Sequence, residues 1–349
     1  MNITCSGNGI YCIISGAPLE LDGQKGVYYE PVTLYILFQK DGIYQTEVIQ
    51  LNDSVDDSVS FALFVPDNHS LLVGLWERNK KARLVEYNFE TKLTTIRWTS
   101  DQEDVMYEPV LSPSGERVAF VVKNSNDPAI NGRILLYDNF TKNIHRIYKG
   151  VTTNAWGPTF TKNENELLFL ANTEFMSGYI TNAKENLFIS TVQGATYQRT
   201  NQDGYFLHNQ AYPSPNETYV ALAGNTGPSH MVDMRYPDLE YRFSEDQWRQ
   251  KSPSGKAVDT NFLAVAKMGE VRDVAKKEIP LYYFFDDING FGNVKWSGET
   301  AVSVTDLQGT WVEKTITEDT RGLLKGAYVR ANDMTYVSQT NQLEVTMVD

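Results

Sequence analysis

The sequence lacks the features of a membrane protein or a secretory precursor. No stretch approaches the ~20 consecutive apolar residues of a membrane-spanning helix. The N-terminus has neither the basic start nor the apolar run of a signal peptide. We therefore expect no membrane insertion. The expected location is periplasmic or extracellular if a leader has been removed, and cytoplasmic otherwise.

Positive charge is also in short supply. The chain has 31 Lys and Arg residues against 44 Asp and Glu residues, which gives a net charge of −13. An acidic surface repels phosphate backbones and anionic lipid. The densest basic run, residues 78–83, has the composition of a solvated hairpin tip. We therefore expect no nucleic-acid partner.

Cysteine and histidine are scarce, which limits disulfide and metal chemistry. The two cysteines, Cys5 and Cys12, are compatible either with a bridge or with two free thiols on a strand. Of the four histidines, His208 and His230 lie in one repeat and could approach each other as metal ligands. No short ligand spacing supports such a site. We therefore expect neither a metal nor another cofactor.

The motifs of common catalytic sites are missing. No Gly-x-Ser-x-Gly elbow occurs, and no part of the sequence has the pattern of an α/β hydrolase domain. No glycine-rich phosphate loop precedes a helix. Ser112 and Ser214 stand in Ser-Pro turns, where a serine hydroxyl ordinarily bonds to the local backbone. These absences favour a protein that binds a partner over one that transforms a substrate.

What the sequence does contain is a repeat. An extended stretch, a turn rich in Pro, Ser, Asn and Gly, and an apolar strand recur about every 50 residues. The four copies are residues 63–73, 107–120, 156–169 and 209–222. Such a period suits one four-stranded blade of a β-propeller. Further strand patterns follow each turn, rich in Val, Ile, Leu, Tyr and Phe.

The repeat predicts an all-β fold, a β-propeller of six or seven four-stranded blades, with seven favoured. We expect a single domain over residues 1–349, with an irregular blade or an insertion at about 242–290. The inner-strand turn is missing before the first strands, and the last blade lacks a strand. We therefore expect N- and C-terminal strands to pair and close the ring.

The unit Ser-Pro-Ser-Gly-Glu-Arg-Val-Ala-Phe at 112–120 resembles the WD40-like repeat of TolB-type β-propellers, in which Ser-Pro-Asp-Gly precedes an apolar strand. The resemblance covers residues 58–240 well. It departs from the pattern at 161–164 and 65–68, where the Ser-Pro or the Gly is lost. Relatives with this repeat include periplasmic scaffold proteins, non-catalytic propellers of prolyl-peptidase-like enzymes, and oligogalacturonate lyases. The resemblance thus implies the fold and leaves the chemistry open.

Propellers usually bind partners at the mouth of the central channel. The residues just ahead of each repeated turn should converge there and form a rim of aromatic, amide and carboxylate groups. The predicted ligand-binding residues are Tyr107, Glu108, Trp156, His208, Asn209 and Asn293. The competing interpretation is that Tyr107 and Trp156 pack between blades and that Glu108 faces water in the channel.

The functional hypothesis is therefore a non-catalytic binding or scaffold propeller with a protein or glycan partner at this rim. Aromatic rings can stack on a sugar or grip a peptide loop, while amides and a carboxylate bind polar groups. The alternative is a carbohydrate-active enzyme, similar to a polysaccharide lyase, that uses a central His/Glu/Tyr site.

Overall fold

The computed structural model of the chain describes residues 2–5, 11–16, 19–22, 26–29, 33–40, 43–49, 51, 58–65, 69–76, 81–103, 105–124, 132–148, 155–172, 185–200, 206–225, 239–242, 247–250, 261–276, 279, 282–285, 294–305, 311–316, 334–337 and 342–345. Residues Met1–Arg146 form one unit and Ile147–Asp349 a second. The single domain expected over the whole chain stays a prediction.

The described part of the first unit holds three four-stranded antiparallel sheets. Two follow chain order, and the first has the order β1-β2-β5-β6, with the hairpin β3-β4 between β2 and β5. The strands are β1 Asn2–Cys5, β2 Tyr11–Gly16, β3 Leu19–Asp22, β4 Gly26–Tyr29, β5 Thr33–Lys40, β6 Ile43–Ile49, β7 Ser58–Phe64, β8 Ser70–Trp76, β9 Arg83–Asn88, β10 Thr94–Thr99, β11 Val105–Leu111, β12 Arg117–Lys123, β13 Arg133–Asp138 and β14 Ile144–Arg146.

The described part of the second unit holds two four-stranded sheets, β15-β16-β17-β18 and β19-β20-β23-β24, and a three-stranded sheet, β25-β26-β27. Two hairpins, β21-β22 and β28-β29, and one short helix complete it. The elements are β15 Ala155–Phe160, β16 Glu166–Asn172, β17 Glu185–Thr191, β18 Thr196–Gln198, β19 Phe206–Pro213, β20 Tyr219–Asn225, β21 Leu239–Arg242, β22 Gln247–Gln250, β23 Asn261–Lys267, α1 Met268–Arg272, β24 Tyr282–Phe285, β25 Val294–Trp296, β26 Ala301–Thr305, β27 Trp311–Thr315, β28 Met334–Val337 and β29 Gln342–Val345.

The all-β prediction is confirmed, and the predicted strands at 117–122 and 166–170 fall within β12 and β16. The irregular stretch at 242–290 contributes β23 and β24, the third and fourth strands of the sheet that begins with β19. The hairpin β21-β22 lies between β20 and β23 in the chain. The number of blades and the closure of the ring stay predictions.

The second strands form the core because both of their faces are apolar. In β12, Val118, Ala119, Phe120, Val121 and Val122 are all buried. In β16, the residues from Leu167 to Ala171 are equally inaccessible to solvent. A strand that alternates its side chains between two packed neighbours has no solvated face, so it reads as a continuous apolar run.

The turns between first and second strands are held by their own polar side chains. The buried hydroxyl oxygen of Ser112 accepts a hydrogen bond from the Arg117 backbone N–H at 3.1 Å. Ser214 does the same for Tyr219 at 3.1 Å. The predicted backbone role of these two serines is confirmed. Each turn ends in the left-handed region, at Gly115, Glu164 and Glu217, which lets the chain reverse.

Carboxylates tie neighbouring sheets of the second unit together at these turns. Arg272 of α1 binds Glu166 through Nε at 2.8 Å and Glu217 through Nη2 at 2.6 Å. Because Glu166 begins β16 and Glu217 lies in the next turn, the arginine joins two sheets. The Glu299 carboxylate accepts hydrogen bonds from the Ser214 hydroxyl at 2.6 Å and from the backbone N–H groups of residues 216 and 218 at 2.7 and 3.0 Å.

A buried arginine anchors the segment around α1. The Arg199 side chain is 1% exposed. Its guanidinium donates to the backbone carbonyls of Glu270, Asp273 and Lys276 at 3.1, 2.8 and 2.9 Å. The segment in turn places Met268 in the same core cluster as residues of β16 and β20. The helix is thus docked through carbonyl groups as well as through apolar contacts.

The cysteine question is answered in favour of a bridge. Cys12 is disulfide-bonded. Strand pairing sets it directly opposite Cys5, which is the only other cysteine in the sequence. Among the residues that the structure describes, none belongs to a helix with the length and hydropathy needed to cross a membrane.

Candidate functional site

The predicted site residues coincide with a recurring irregularity in the first strand of each repeat. In β7, β11, β15 and β19, the register against the second strand shifts at one point. We call this point the first-strand bulge. It falls between Val59 and Phe61, between Tyr107 and Val110, between Trp156 and Thr159, and between His208 and Ala211. Bulges of this kind redirect side chains and are common next to functional sites.

Two of the bulges contain a residue with left-handed backbone geometry. Glu108 has φ 50° and Gly157 has φ 60°, at equivalent positions of β11 and β15. Glycine adopts this conformation freely, whereas a glutamate pays a conformational penalty. Glu108 is also exposed. A strained, exposed carboxylate at a position where the next repeat in the chain has glycine indicates a role other than stability.

Tyr107 precedes Glu108 and is half-buried. Burial, assisted by the negative charge of Glu108, raises the pKa of the Tyr107 hydroxyl far above its ordinary value. The hydroxyl therefore stays protonated and able to donate a hydrogen bond across the physiological range. The ammonium of Lys123, the last residue of β12, lies 5.2 Å from the centroid of the Tyr107 ring. The first unit thus presents a tyrosine, a carboxylate and a lysine together.

Trp156 occupies the position equivalent to Tyr107 in the second unit. Its half-buried side chain packs against the core cluster that includes Leu168, Leu170 and Ala211. Trp156 therefore packs in part against the core, as the competing interpretation predicts. The part that remains accessible can contact a ligand.

The other predicted residues of the second unit are located less completely. His208 and Asn209 lie in β19 at its bulge, and β19 runs beside β15, the strand of Trp156. Their side chains are outside the described residues, as is Asn293, which directly precedes β25. That all six predicted residues form a single site stays a prediction.

Lys123 is a site residue that the sequence does not predict. Counting back from the turn with a regular hairpin sets Lys123 opposite Met106. The bulge shifts the register, so that Lys123 pairs with Val105 and Val121 pairs with Tyr107. A shift of one residue moves a side chain to the other face of the sheet. The lysine therefore reaches the Tyr107 ring only because of the bulge.

A metal site needs several acidic, imidazole or thiol side chains close together. Within the described ranges, no group of three or more His, Cys, Asp or Glu residues is placed to hold a metal ion. His230, the second member of the histidine pair considered from the sequence, is outside those ranges.

Structural comparison shows what the chain is similar to. The tricorn protease matches with a TM-score of 0.52 and 10% identity, covering 99% of this chain and 31% of that one. Oligogalacturonate lyase from Vibrio parahaemolyticus matches with a TM-score of 0.50 and 9% identity, covering 91% of this chain and 77% of that one. No protein-family model matches the sequence, and no curated protein matches it.

TolB from Acinetobacter baumannii is also among the structural neighbours, with a TM-score of 0.40 and 14% identity, over 89% of this chain and 64% of that one. The predicted β-propeller is confirmed at the level of fold, and the resemblance to TolB-type propellers is likewise one of fold alone. The chain spans less than a third of the tricorn protease and less than two thirds of TolB. At such low identity the similarity concerns the fold and not the activity.

Proposed function

We propose that the chain is a non-catalytic binding propeller, whose protein or glycan partner contacts the residues at the first-strand bulges. The observation that carries the proposal is the recurrence of a bulge in the first strand of four sheets. In three of these sheets the bulge contains predicted residues, namely Tyr107 and Glu108, Trp156, and His208 and Asn209. Asn293 is assigned to the same set because it stands just before a first strand.

The chemistry of these positions suits recognition. Tyrosine and tryptophan offer large rigid surfaces that lose little side-chain entropy on binding. The carboxylate of Glu108 and the predicted amides can bind the hydroxyl groups of a sugar or the backbone of a peptide loop. The second strands β12 and β16 are buried on both faces, so within these sheets the bulged first strands offer more accessible side chains.

The test is capture of partners from the native source, together with a glycan array, using Trp156→Ala and His208→Ala variants. We expect both variants to lose binding. Phe140→Ala is the matched control, because Phe140 is 89% exposed in the turn between β13 and β14 and away from any bulge. Binding that survives both bulge substitutions would refute the proposal.

The enzymatic alternative, a polysaccharide lyase-like activity of a central His/Glu/Tyr site, stays a prediction. It is tested by incubating the protein with an acidic polysaccharide such as polygalacturonate, with and without added divalent metal. Formation of unsaturated products that is abolished by His208→Ala would replace the binding proposal. Binding without turnover would support it.

We place the protein in an oxidising compartment, periplasmic or extracellular, because Cys12 is disulfide-bonded. Such bonds persist where thiols are not kept reduced. Protein isolated from its native cells under acid quench should resist alkylation by iodoacetamide unless it is first reduced. Two freely alkylated cysteines would contradict this location and favour the cytoplasm.

A further inference from the structure

The Tyr107 ring is already in contact with a cation. Lys123 Nζ lies 5.2 Å from the ring centroid, within the distance at which an ammonium is attracted to an aromatic face. Lys123 is exposed at the end of β12. Its side chain can therefore leave the ring for solvent without disturbing the core.

An exposed carboxylate follows Tyr107 in the chain, at the bulge of the same strand. Glu108 follows Tyr107 in β11, is exposed, and has the left-handed backbone conformation of the bulge. Burial is the main cause of the raised pKa of the Tyr107 hydroxyl, and the negative charge of Glu108 adds to it. An aromatic face together with a carboxylate is the combination that recognises an ammonium group, since the ring quadrupole and the negative charge both favour a cation.

We infer that the Tyr107–Glu108 surface binds an ammonium group of a basic protein partner, and that Lys123 occupies this place in the unbound protein. The inference rests on the proposed binding function and names the class of partner. Lys123 thus acts as an internal competitor, which a lysine side chain or a chain N-terminus displaces.

The charge of the whole chain favours a basic partner over a neutral glycan. With a net charge of −13, the protein attracts positively charged segments and accelerates their association. A sugar ring gains nothing from this field and would also have to displace Lys123 from the stacking position.

The experiment titrates the protein with an amidated peptide of alternating glycine and lysine, at low salt, by calorimetry or NMR. Removing the competitor with Lys123→Met should tighten binding about threefold, the worth of one exposed cation–π contact. Glu108→Gln and Tyr107→Leu should each weaken it about threefold or more. Circular dichroism checks that each variant is folded, and Lys123→Met changes only an exposed side chain.

Lys295→Met is the matched control. Lys295 Nζ lies 3.8 Å from the centroid of the Trp311 ring, so the substitution also removes a surface cation–π contact, but one on β25, a strand without a bulge. We expect it to leave the affinity unchanged. A second control peptide carries glutamate in place of lysine and should bind more weakly than the lysine peptide.

Three results would overturn the inference. The lysine peptide fails to bind; the glutamate peptide binds as tightly as the lysine peptide or more tightly; or Lys123→Met binds the lysine peptide no more tightly than the parent protein does. If one of these occurs while Trp156→Ala and His208→Ala still lose a captured partner or an arrayed glycan, the proposed function stands and only the ammonium site fails. If no bulge substitution affects any ligand, the proposed function itself fails.

Discussion

The strands β11 and β12 are hydrogen-bonded neighbours in one sheet, yet their surroundings differ sharply. In β12 every residue from Val118 to Val122 is buried, whereas β11 has one fully buried residue, Met106, and exposes Glu108. The same contrast separates β16 from β15, though less strongly. It shows that the second strands belong to the core, while the bulged first strands keep more of their side chains accessible.

The largest expected loss of stability comes from a cavity opened in a buried second strand. Phe169 in β16 is fully buried and stacks on Phe188, with ring centroids 5.4 Å apart. Phe169→Ala should lower the free energy of unfolding by about 4 kcal/mol, because lost apolar burial and an unfilled cavity add. Chemical denaturation measures the effect. Phe169→Leu is the milder control, and equal stabilities of both variants would contradict a tightly packed second strand.

Substitutions at the turns that join first and second strands should have an intermediate effect on the free energy of unfolding. Arg272→Ala leaves Glu217, whose side chain is 8% exposed, without its ion-pair partner. We expect a loss of about 2 kcal/mol, between the values of exposed and buried pairs. Lys276→Ala removes a 3.4 Å pair to Glu270 at a lysine that is 46% exposed, and should cost far less. A similar cost for both would show that the Arg272 links between sheets are unimportant.

A smaller effect should appear at the turn held by Glu299, and it should depend on pH. Burial disfavours ionisation of Glu299, but the hydrogen bonds from Ser214, Thr218 and Asn216 outweigh it and lower the pKa to about 2. A carboxylate with a lowered folded-state pKa stabilises the protein above its unfolded-state pKa, and this stabilisation is lost as the pH falls from about 4.5 towards 2.

Glu299→Gln should therefore cost about 1 kcal/mol at neutral pH and progressively less in acid. Urea unfolding at a series of pH values between 7 and 3 measures the difference from the parent protein. A difference that does not shrink with falling pH would exclude the ionised carboxylate as its source.

The smallest expected effect on stability is at the bulge of β11, where a substitution should stabilise the protein. Glu108→Gly should raise the free energy of unfolding by about 0.5 kcal/mol, because glycine adopts the left-handed conformation without strain. It should also weaken ligand binding at the bulge. Glu164→Gly, at φ 58° in a turn, is the control that should relieve strain without affecting binding. If Glu108→Gly binds the ligand as well as the parent protein does, the strained glutamate has no role in binding.

Local patterns in the sequence predict much of the fold. The apolar runs after each turn locate β12 and β16, and the Ser-Pro turns correctly assign Ser112 and Ser214 to backbone hydrogen bonds. Alignment of the repeats also places Tyr107, Trp156 and Asn209 at equivalent positions, whereas strand pairing sets His208 at the place that Tyr107 and Trp156 take in their sheets. These features are local, since each depends on residues within one hairpin.

Features that depend on the register between two strands could not be predicted in this way. The bulge sets Lys123 over Tyr107, because its extra residue shifts the register that a regular hairpin would have. The Cys5–Cys12 bridge depends on the pairing of β1 with β2, which the spacing alone left open.

The sequence by itself therefore determined a repeating all-β chain, with its turns and its packed second strands, because period and side-chain type act over short distances. Only the tertiary structure decided where individual charges belong. Arg199, a residue type expected in solvent, is buried because three carbonyl groups more than 70 residues away in the chain replace its water. Such partners are brought together by packing between elements, and no local pattern records them.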